Sequence, residues 1–380
     1  MIVILTEQLA NEIVRRTMSI IQVNINIMDR TGTIIASGNA SRIGQLHDGA
    51  VRVIQEKQTI EIESTKTNQW NSSQPGINLP ITFQGNIIGV IGITGEPNRI
   101  RDYSKLIQMG AELTIEQAFL TNEIQQNKQI RQNQIANILI GTEDDQTYIQ
   151  ERAHYANLNT NATYAVIILS PSLSDKSHTK IFENHILSFL NEGDEYIPLF
   201  TNQYLILKKS IRPTESTEQL KAFFQEKLST SNISNLFIGL GSYLKGTKGW
   251  RQSYQEAQKI MNVAQTLYGD GGIWSYSDLE LEILSYDLFK HAEESTEQLI
   301  NTYQLIFNEN DGYQLHQTLD TYIEENGKMA ITSNKLFIHR NTLTYRLDKI
   351  HQLTGKDPRN FNNLLELKMA QLLYTFTKKS

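Results

Sequence analysis

The sequence predicts a multidomain α+β chain ending in an all-α helix-turn-helix domain, and three observations carry the prediction. A length of 380 residues allows two or three domains, each able to bury a core of its own. Along the first two-thirds of the chain, stretches of period-two alternation are interleaved with stretches at the helical period of about 3.6. The last part is helical and basic: Gly327 to Ser380 carries ten Lys and Arg against three Asp and Glu, a balance of +7 in a chain of net charge −6.

Composition sets the outer bounds. With 39% hydrophobic and 20% charged residues the chain has the make-up of an ordinary globular protein rather than a disordered one. The absence of cysteine excludes a disulfide framework, a Cys-based zinc site and a thiol nucleophile, and accords with a reducing compartment. The apolar run Met1 to Leu5 is too short, and lacks the basic residues, for a signal peptide. Ile87 to Ile93, interrupted by Gly89 and Gly92, falls far short of the roughly 20 residues of a membrane helix. The expectation is a cytoplasmic protein with no membrane partner.

Thr6 to Met18 reads as an amphipathic helix, with Leu9, Ile13 and Val14 on one side and Glu12, Arg15 and Arg16 on the other. Val23 to Met28 and Thr33 to Gly38 alternate at period two around the turn Asp29-Arg30-Thr31-Gly32, which makes a hairpin. A short helix from Gly49 to Glu56 follows. Ile77 to Phe83 and Ile87 to Thr94 form a second strand pair across Gln84-Gly85-Asn86. Antiparallel strands closed on one side by helices make a sensor-like α+β module of about a hundred residues.

From Tyr103 to Gly141 the chain is predicted helical. Leu106, Leu113 and Leu120 recur every seven residues, with Met109, Ile124, Ile135 and Ile138 beside them, as in a connecting or dimerising helix. Gln117 and Asn127 fall near that seam, so a plain packed helix stays open as a reading. Tyr164 to Leu169 is a buried strand, followed by a helix to about Leu190. Tyr196 to Phe200 and Tyr204 to Lys208 pair across Thr201-Asn202-Gln203. A helix to Leu228, a strand Leu236 to Gly241 and a helix Gly249 to Leu267 complete a second α+β domain. Gly269-Asp270-Gly271-Gly272 reads as a turn, and Ser275 to Phe307 as helical.

In the C-terminal part, Leu315 to Glu325 is a helix stopped by Asn326-Gly327, and Lys328 to Phe337 is a second, short one. After a bend at Ile338-His339-Arg340 a third begins at Asn341, with Leu343, Leu347, Ile350 and Leu353 on its buried stripe. Two short helices and a tight bend are the skeleton of a helix-turn-helix. Arg340, Asn341, Thr342, Thr344, Tyr345 and Lys349 lie off the stripe, mostly in the first turns, where a recognition helix meets base edges. Arg pairs bidentately with guanine and Asn with adenine, while Thr344 and Tyr345 suit phosphates or a thymine methyl. The alternative is a helical bundle whose polar face meets only water.

A second constellation lies in the first module. Ser37 to His47 leaves a hairpin and enters a helix, so that backbone N–H groups, Arg42 and His47 converge. A guanidinium fork, a helix N-terminus and the open backbone at Gly44 suit a carboxylate. Pro75 to Pro80 and Gly92 to Gly95 offer Asn78 and Thr94 to ligand hydroxyls. Each residue also has a plainer reading: Gly38, Gly44 and Gly95 as turns, His47 as a helix cap, Arg42 as a surface charge.

The residues also carry a resemblance. Leu336-Phe337-Ile338-His339-Arg340-Asn341-Thr342-Leu343-Thr344-Tyr345-Arg346-Leu347, followed by Leu353-Thr354-Gly355, resembles the C-terminal helix-turn-helix of PucR-type regulators. It brings His339 and Arg346, with Lys335 just ahead of the string, into the DNA-binding set. Asn24 to His47 and Pro75 to Glu96 resemble the sugar-diacid recognition domain of carbohydrate diacid regulators. The resemblance spans nearly the whole chain in the same domain order. It implies a PAS-like sensor at 1–135, a degenerate cyclase-like (GGDEF-like) domain at 136–275 and a PucR-type DNA-binding domain at 276–380. It further implies a transcription activator of diacid or glycerate utilisation, with glycerate, glucarate or galactarate as effector. Ser37, Arg42, Ile43, Gly44, His47, Asn78 and Thr94 are then the expected ligand-binding residues, from matching motifs together with the carboxylate chemistry above.

The resemblance leaves an enzymatic alternative, a nucleotide-processing enzyme with a helical tail. An active cyclase of that type places Gly-Gly-(Asp/Glu)-Glu-Phe in the central hairpin, where its acids bind metal. Thr201-Asn202-Gln203-Tyr204 stands there instead, and no P-loop, His-Glu-x-x-His or Gly-x-Ser-x-Gly string occurs. The expectation is a non-enzyme without cofactor or metal, whose partners are promoter DNA and a small organic acid. A single helix-turn-helix gives limited affinity, so a homodimer or higher oligomer reading paired half-sites is expected.

Overall fold

The structure, a computed structural model, describes residues 5–64, 74–141, 145–171, 183, 186–199, 202–212, 214–229 and 235–379. The chain divides into two compact units, Met1–Gln129 and Ile130–Ser380. Among the described residues no helix is long and apolar enough to cross a membrane.

The first unit is a five-stranded antiparallel sheet. Its strands are β1 (Ile25–Met28), β2 (Ile34–Ser37), β3 (Ile60–Ile62), β4 (Gly76–Phe83) and β5 (Asn86–Thr94), in the order β2-β1-β5-β4-β3. Strand alternation sends Ile25, Ile27, Ile77, Leu79, Ile91 and Ile93 to one face. There they bury against Ala10, Ile13 and Val14 of α1 (Glu7–Ile20) and Ala111 and Ile115 of α3 (Pro97–Ile140). Each such side chain contributes about 1.5–3 kcal/mol of burial. The other face carries Met28 and Val90, packed on Ala50 and Val53 of α2 (Asp48–Glu56). Thr6 caps α1 by accepting the Leu9 N–H at 3.3 Å.

In the second unit, the end of α3 and α4 (Gln146–Tyr155) precede a six-stranded sheet. Its members are β6 (Thr163–Pro171), β7 (Glu195–Pro198), β8 (Tyr204–Lys209), β9 (Leu236–Leu240), β10 (Leu244–Lys245) and β11 (Gly272–Ser275). The order is β11-β9-β6-β8-β7, with β10 on β6, and only the β11–β9 pair is parallel among the described pairings. Trp250, Ala257, Ile260 and Met261 of α6 (Gly246–Leu267) cover one face. Leu220 and Phe224 of α5 (Thr217–Ser229) cover the other.

The C-terminal helices are α7 (Glu280–His291), α8 (Glu293–Phe307), α9 (Gly312–Glu324), α10 (Met329–Lys335), α11 (Arg340–Thr354) and α12 (Phe361–Lys379). Tyr303, Leu315, Leu319, Leu343, Leu347, Ile350 and Leu367 form a core shared by the helices from α8 on, while Ile283 of α7 packs with Trp250 and Ala257 of α6 in the core beneath the six-stranded sheet.

Several expectations change. The sequence reading missed β3, β10 and β11, which are two to four residues long and too short to display alternation. Gly272, read as part of a turn, opens β11. The long helix starts at Pro97 rather than Tyr103, because a proline fits the first helical position without losing a bond. The short helix expected to reach Phe337 ends at Lys335. The α12 helix was not anticipated. Most of the helix expected before Leu190, the tip Phe200-Thr201 and the start Met1 to Ile4 lie outside the described residues.

Candidate functional site

In the first unit, one row of register partners crosses the sheet on the α2 face. Ser37 pairs with Asn26, Asn26 with Gly92, Gly92 with Asn78, and Asn78 with Ile60. Asn26 and Asn78 are 2% and 3% exposed, so two amides lie buried on either side of a residue that has no side chain. Ser37 Oγ donates to Asn26 Oδ1 at 2.7 Å and accepts the Asn39 N–H at 3.0 Å, which fixes the near end of the row. Asn24 Nδ2 donates to the same Oδ1 at 3.2 Å. Thr94 lies two residues beyond Gly92 on β5, opposite Gly76, and its backbone N–H donates to Asn24 at 3.0 Å.

Above the row runs the segment from Ser37 into α2. Asn39 caps a one-turn helix, Ala40–Arg42, and Gly44 turns the chain with φ +83°. The Gly44 N–H donates to the Ile34 carbonyl, the Ile34 N–H to the Gln45 carbonyl and the His47 N–H to the Gly32 carbonyl, which stitches residues 44–47 alongside β2. His47 caps α2, its Nδ1 accepting the Ala50 N–H at 3.3 Å. A Cβ at Gly49 would stand 2.7 Å from Asn78 Nδ2 and 3.1 Å from His47 Cε1, so the ring and the amide meet around that bare backbone. Ile43 is 46% exposed.

The electrostatics follow from burial. His47 is held down to about 4, first by desolvation and then by the charge of Arg42, so it is neutral near pH 7. Desolvation also lowers Arg42, a half-buried cation. The expected residues Ser37, Asn78 and His47 thus join one cradle with Arg42 close enough to act on His47. Gly44 and Ile43 are exposed on the segment above the row, and Thr94 ends β5. Sequence reasoning missed Asn26 and Gly92. The alternation Val23-Asn24-Ile25-Asn26-Ile27 was visible, but polar alternates suggest solvent, and here they face a second layer.

In the second unit, α10, a turn and α11 form the helix-turn-helix. His339 caps α11, its Nδ1 accepting the Asn341 N–H at 3.2 Å. Arg340, Asn341, Thr342 and Tyr345 are exposed, and Thr344 Oγ1 donates to the Arg340 carbonyl at 3.1 Å. Three of the expected cations have partners within the domain. Arg346 donates to Thr318 Oγ1 at 3.1 Å and Gln314 Oε1 at 2.8 Å on α9. Lys349 pairs with Asp311 at 2.5 Å and Glu309 at 3.2 Å, and Lys335 with Glu325 at 2.7 Å. Arg346 and Lys349 thus tie α11 to α9 and the turn before it, and Lys335 ties α10 to the end of α9, while Arg340, Asn341, Thr342 and Tyr345 stay exposed.

In the middle domain the β7–β8 turn holds Asn202, at φ +60°, and Gln203. Asp194, just ahead of β7, accepts from Lys208 Nζ at 2.6 Å and from the Asn191 and Lys209 N–H groups at 2.7 and 2.9 Å. Its oxygens are consumed by the fold. Among the described residues no group of three or more His, Asp or Glu side chains is placed to hold a metal ion.

Comparison with known proteins gives matches along the chain. Residues 5–138 match the sugar diacid recognition family, 141–263 the GGDEF-like domain, and 315–373 the PucR C-terminal helix-turn-helix domain. The chain is 31% identical over 376 residues to the carbohydrate diacid regulator of Escherichia coli strain K12, covering 96% of this chain and 97% of that protein. It is 30% identical over 371 residues to an uncharacterized protein of Haemophilus influenzae, covering 96% and 98%. It is 23% identical over 350 residues to the uncharacterized protein YsfB of Bacillus subtilis strain 168, covering 91% and 92%.

Proposed function

The chain belongs to the carbohydrate diacid regulator family, and from that premise we propose that it is a cytoplasmic transcription activator switched by a small organic acid. The observation that carries the reading is the row Ser37–Asn26–Gly92–Asn78 beneath His47 and Arg42. A half-buried hydroxyl, two buried amides and a neutral imidazole suit the hydroxyls of a guest, while Arg42 and the α2 N-terminus suit its carboxylate. Glycerate, glucarate and galactarate all have that chemistry. The strand order β2-β1-β5-β4-β3 supports the PAS-like reading of the sensor.

On this reading residues 1–135 sense, 136–275 act as a spacer or dimerisation element, and 276–380 bind promoter DNA. Arg340, Asn341, Thr342, Thr344 and Tyr345 meet bases and phosphates, with His339 presenting the helix N-terminus. Arg346 and Lys349 position that helix, and Lys335 holds α10 ahead of it. The operator-bound form is a homodimer. Leu106, Met109, Leu113, Leu120 and Ile124 of α3, each about half exposed or more, offer the apolar stripe for self-pairing. A specific interface needs about 1,000 Å² in total. Effector binding acts by differential affinity for two arrangements of α3.

A thermal-shift screen of the full chain against hydroxy acids and diacids tests the sensor. A ligand of the folded state raises the melting temperature, and no response to any of them would remove the cradle. A salt-sensitive gel shift on promoter DNA tests the head. Production of a cyclic dinucleotide from GTP and magnesium would favour the enzymatic alternative instead.

A further inference from the structure

The turn between α10 and α11 contains a residue that the fold itself does not use. The α10 helix ends in a Schellman arrangement: the Phe337 N–H donates to the Asn334 carbonyl at 3.1 Å, and the Ile338 N–H to the Ser333 carbonyl at 3.0 Å. In that arrangement the residue after the cap is left-handed, and here Phe337 takes it, at φ +54°. Glycine is the usual occupant, because a Cβ in this region crowds the backbone. A helix-turn-helix turn likewise commonly carries glycine.

Nothing in the domain offsets that strain. The Phe337 side chain is 96% exposed, and no ring stacks on it among the described residues. Its neighbours behave differently: Leu336 and Ile338 pack against the domain core. A lone exposed apolar side chain is ordinary on a protein surface. A bulky one held in a left-handed turn, where glycine would be more stable, is a strained residue kept for something outside the fold.

Its position says what. Phe337 stands three positions before Arg340, at most about 11 Å of extended chain, and two before His339, the cap of the recognition helix. When the N-terminus of α11 enters a major groove, the turn just before it lies at the groove edge. An aromatic ring there meets the apolar feature of that groove, the thymine 5-methyl group. We infer that Phe337 is a DNA-contacting, specificity-determining residue that packs on a thymine methyl beside the bases read by Arg340 and Asn341. This rests on the DNA-binding reading and adds a residue and a base preference to it.

The test uses the full chain and a duplex that the wild type selects from a random-sequence pool. Phe337→Gly relieves the turn, so its melting temperature stays equal to or above that of the wild type. Its affinity for the selected duplex falls about tenfold, while its affinity for unselected DNA is unchanged. Replacing thymines of the duplex by uracil, one at a time, produces a loss at one position for the wild type and none there for Phe337→Gly. Equal affinity of variant and wild type for the selected duplex overturns the inference alone, including the case in which the variant loses only transcription activation and the ring therefore meets a protein. Failure of the wild type to select any duplex overturns the DNA-binding reading itself.

Discussion

Asn26 of β1 and Asn78 of β4 share Gly92 of β5 as register partner, so two buried amides flank a strip of bare backbone on the α2 face of the sheet. A polar row across a sheet interior is costly unless something satisfies it. Asn26 is partly satisfied by Ser37 and Asn24, and the remaining capacity of the row is the chemical argument for a polar guest.

Filling the gap tests that argument. A Cβ at Gly92 would stand 2.9 Å from Asn78 Oδ1 and 3.3 Å from Met28 Cε. Gly92→Val is expected to lower affinity for the effector found by thermal shift at least tenfold, measured by calorimetry. Operator binding without effector should stay as it is. Unchanged affinity would place the guest elsewhere.

The His47 imidazole predicts a pH dependence. Its folded-state pKa of about 4 lies below the ordinary 6.5, so between those values the unfolded chain binds more protons. The stability it contributes is complete above pH 6.5 and is lost as the pH falls towards 4. Scanning calorimetry of His47→Gln should show a shallower decline of the first-unit transition across that window than the wild type.

Asp320 has the opposite sign. Burial raises its carboxyl to about 6, with His316 Nε2 at 3.3 Å and Gln371 as a donor, so the folded state is the better proton binder between about 4 and 6. The ionised form costs stability above pH 6, and that cost disappears on acidification. Asp320→Asn should therefore stabilise the chain at pH 8, by ~1 kcal/mol after allowing for solvent screening, and have little effect near pH 4. Denaturant melts at the two pH values check it.

Two arginines six residues apart should behave differently. Arg346→Ala breaks bonds to Thr318 and Gln314 and should cost about 1–2 kcal/mol of stability. Arg340→Ala should leave stability alone and weaken operator binding, lowering the slope of log affinity against log salt by about one if the contact is to phosphate. A melting curve and a salt titration on both variants separate the roles.

The stripe on α3 predicts self-association. Leu113→Glu with Leu120→Glu should shift the chain to monomer in sedimentation and weaken binding to a two-half-site operator. Both residues are about half exposed, so the fold should persist. A double variant that stays dimeric would rule out this face.

The long periodic elements were legible in the sequence because their burial is one-sided. Ile13 and Val14 mark α1, and Leu343, Leu347 and Ile350 mark α11 at helical spacing. Short edge strands were not, since Ile60 to Ile62 and Gly272 to Ser275 owe their pairing to neighbours far along the chain. Half of the cradle could be read locally, because Ser37 to His47 is continuous. Asn26 and Gly92 could not, for their role comes from register with β4, which no local pattern encodes. The inward turn of Arg346 was equally hidden, as it depends on Thr318, 28 residues away.

The cap on α2 favours one tautomer. The Ala50 N–H, shared between the His47 carbonyl at 2.9 Å and Nδ1 at 3.3 Å, suits a neutral ring whose proton is on Nε2. The fold thereby biases which hydrogen this ring can offer before any metabolite arrives. With a pKa near 4 the ring keeps the same charge around neutral pH, so a guest taken up at the proposed site would meet the same hydrogen-bonding group whatever the acidity in that range.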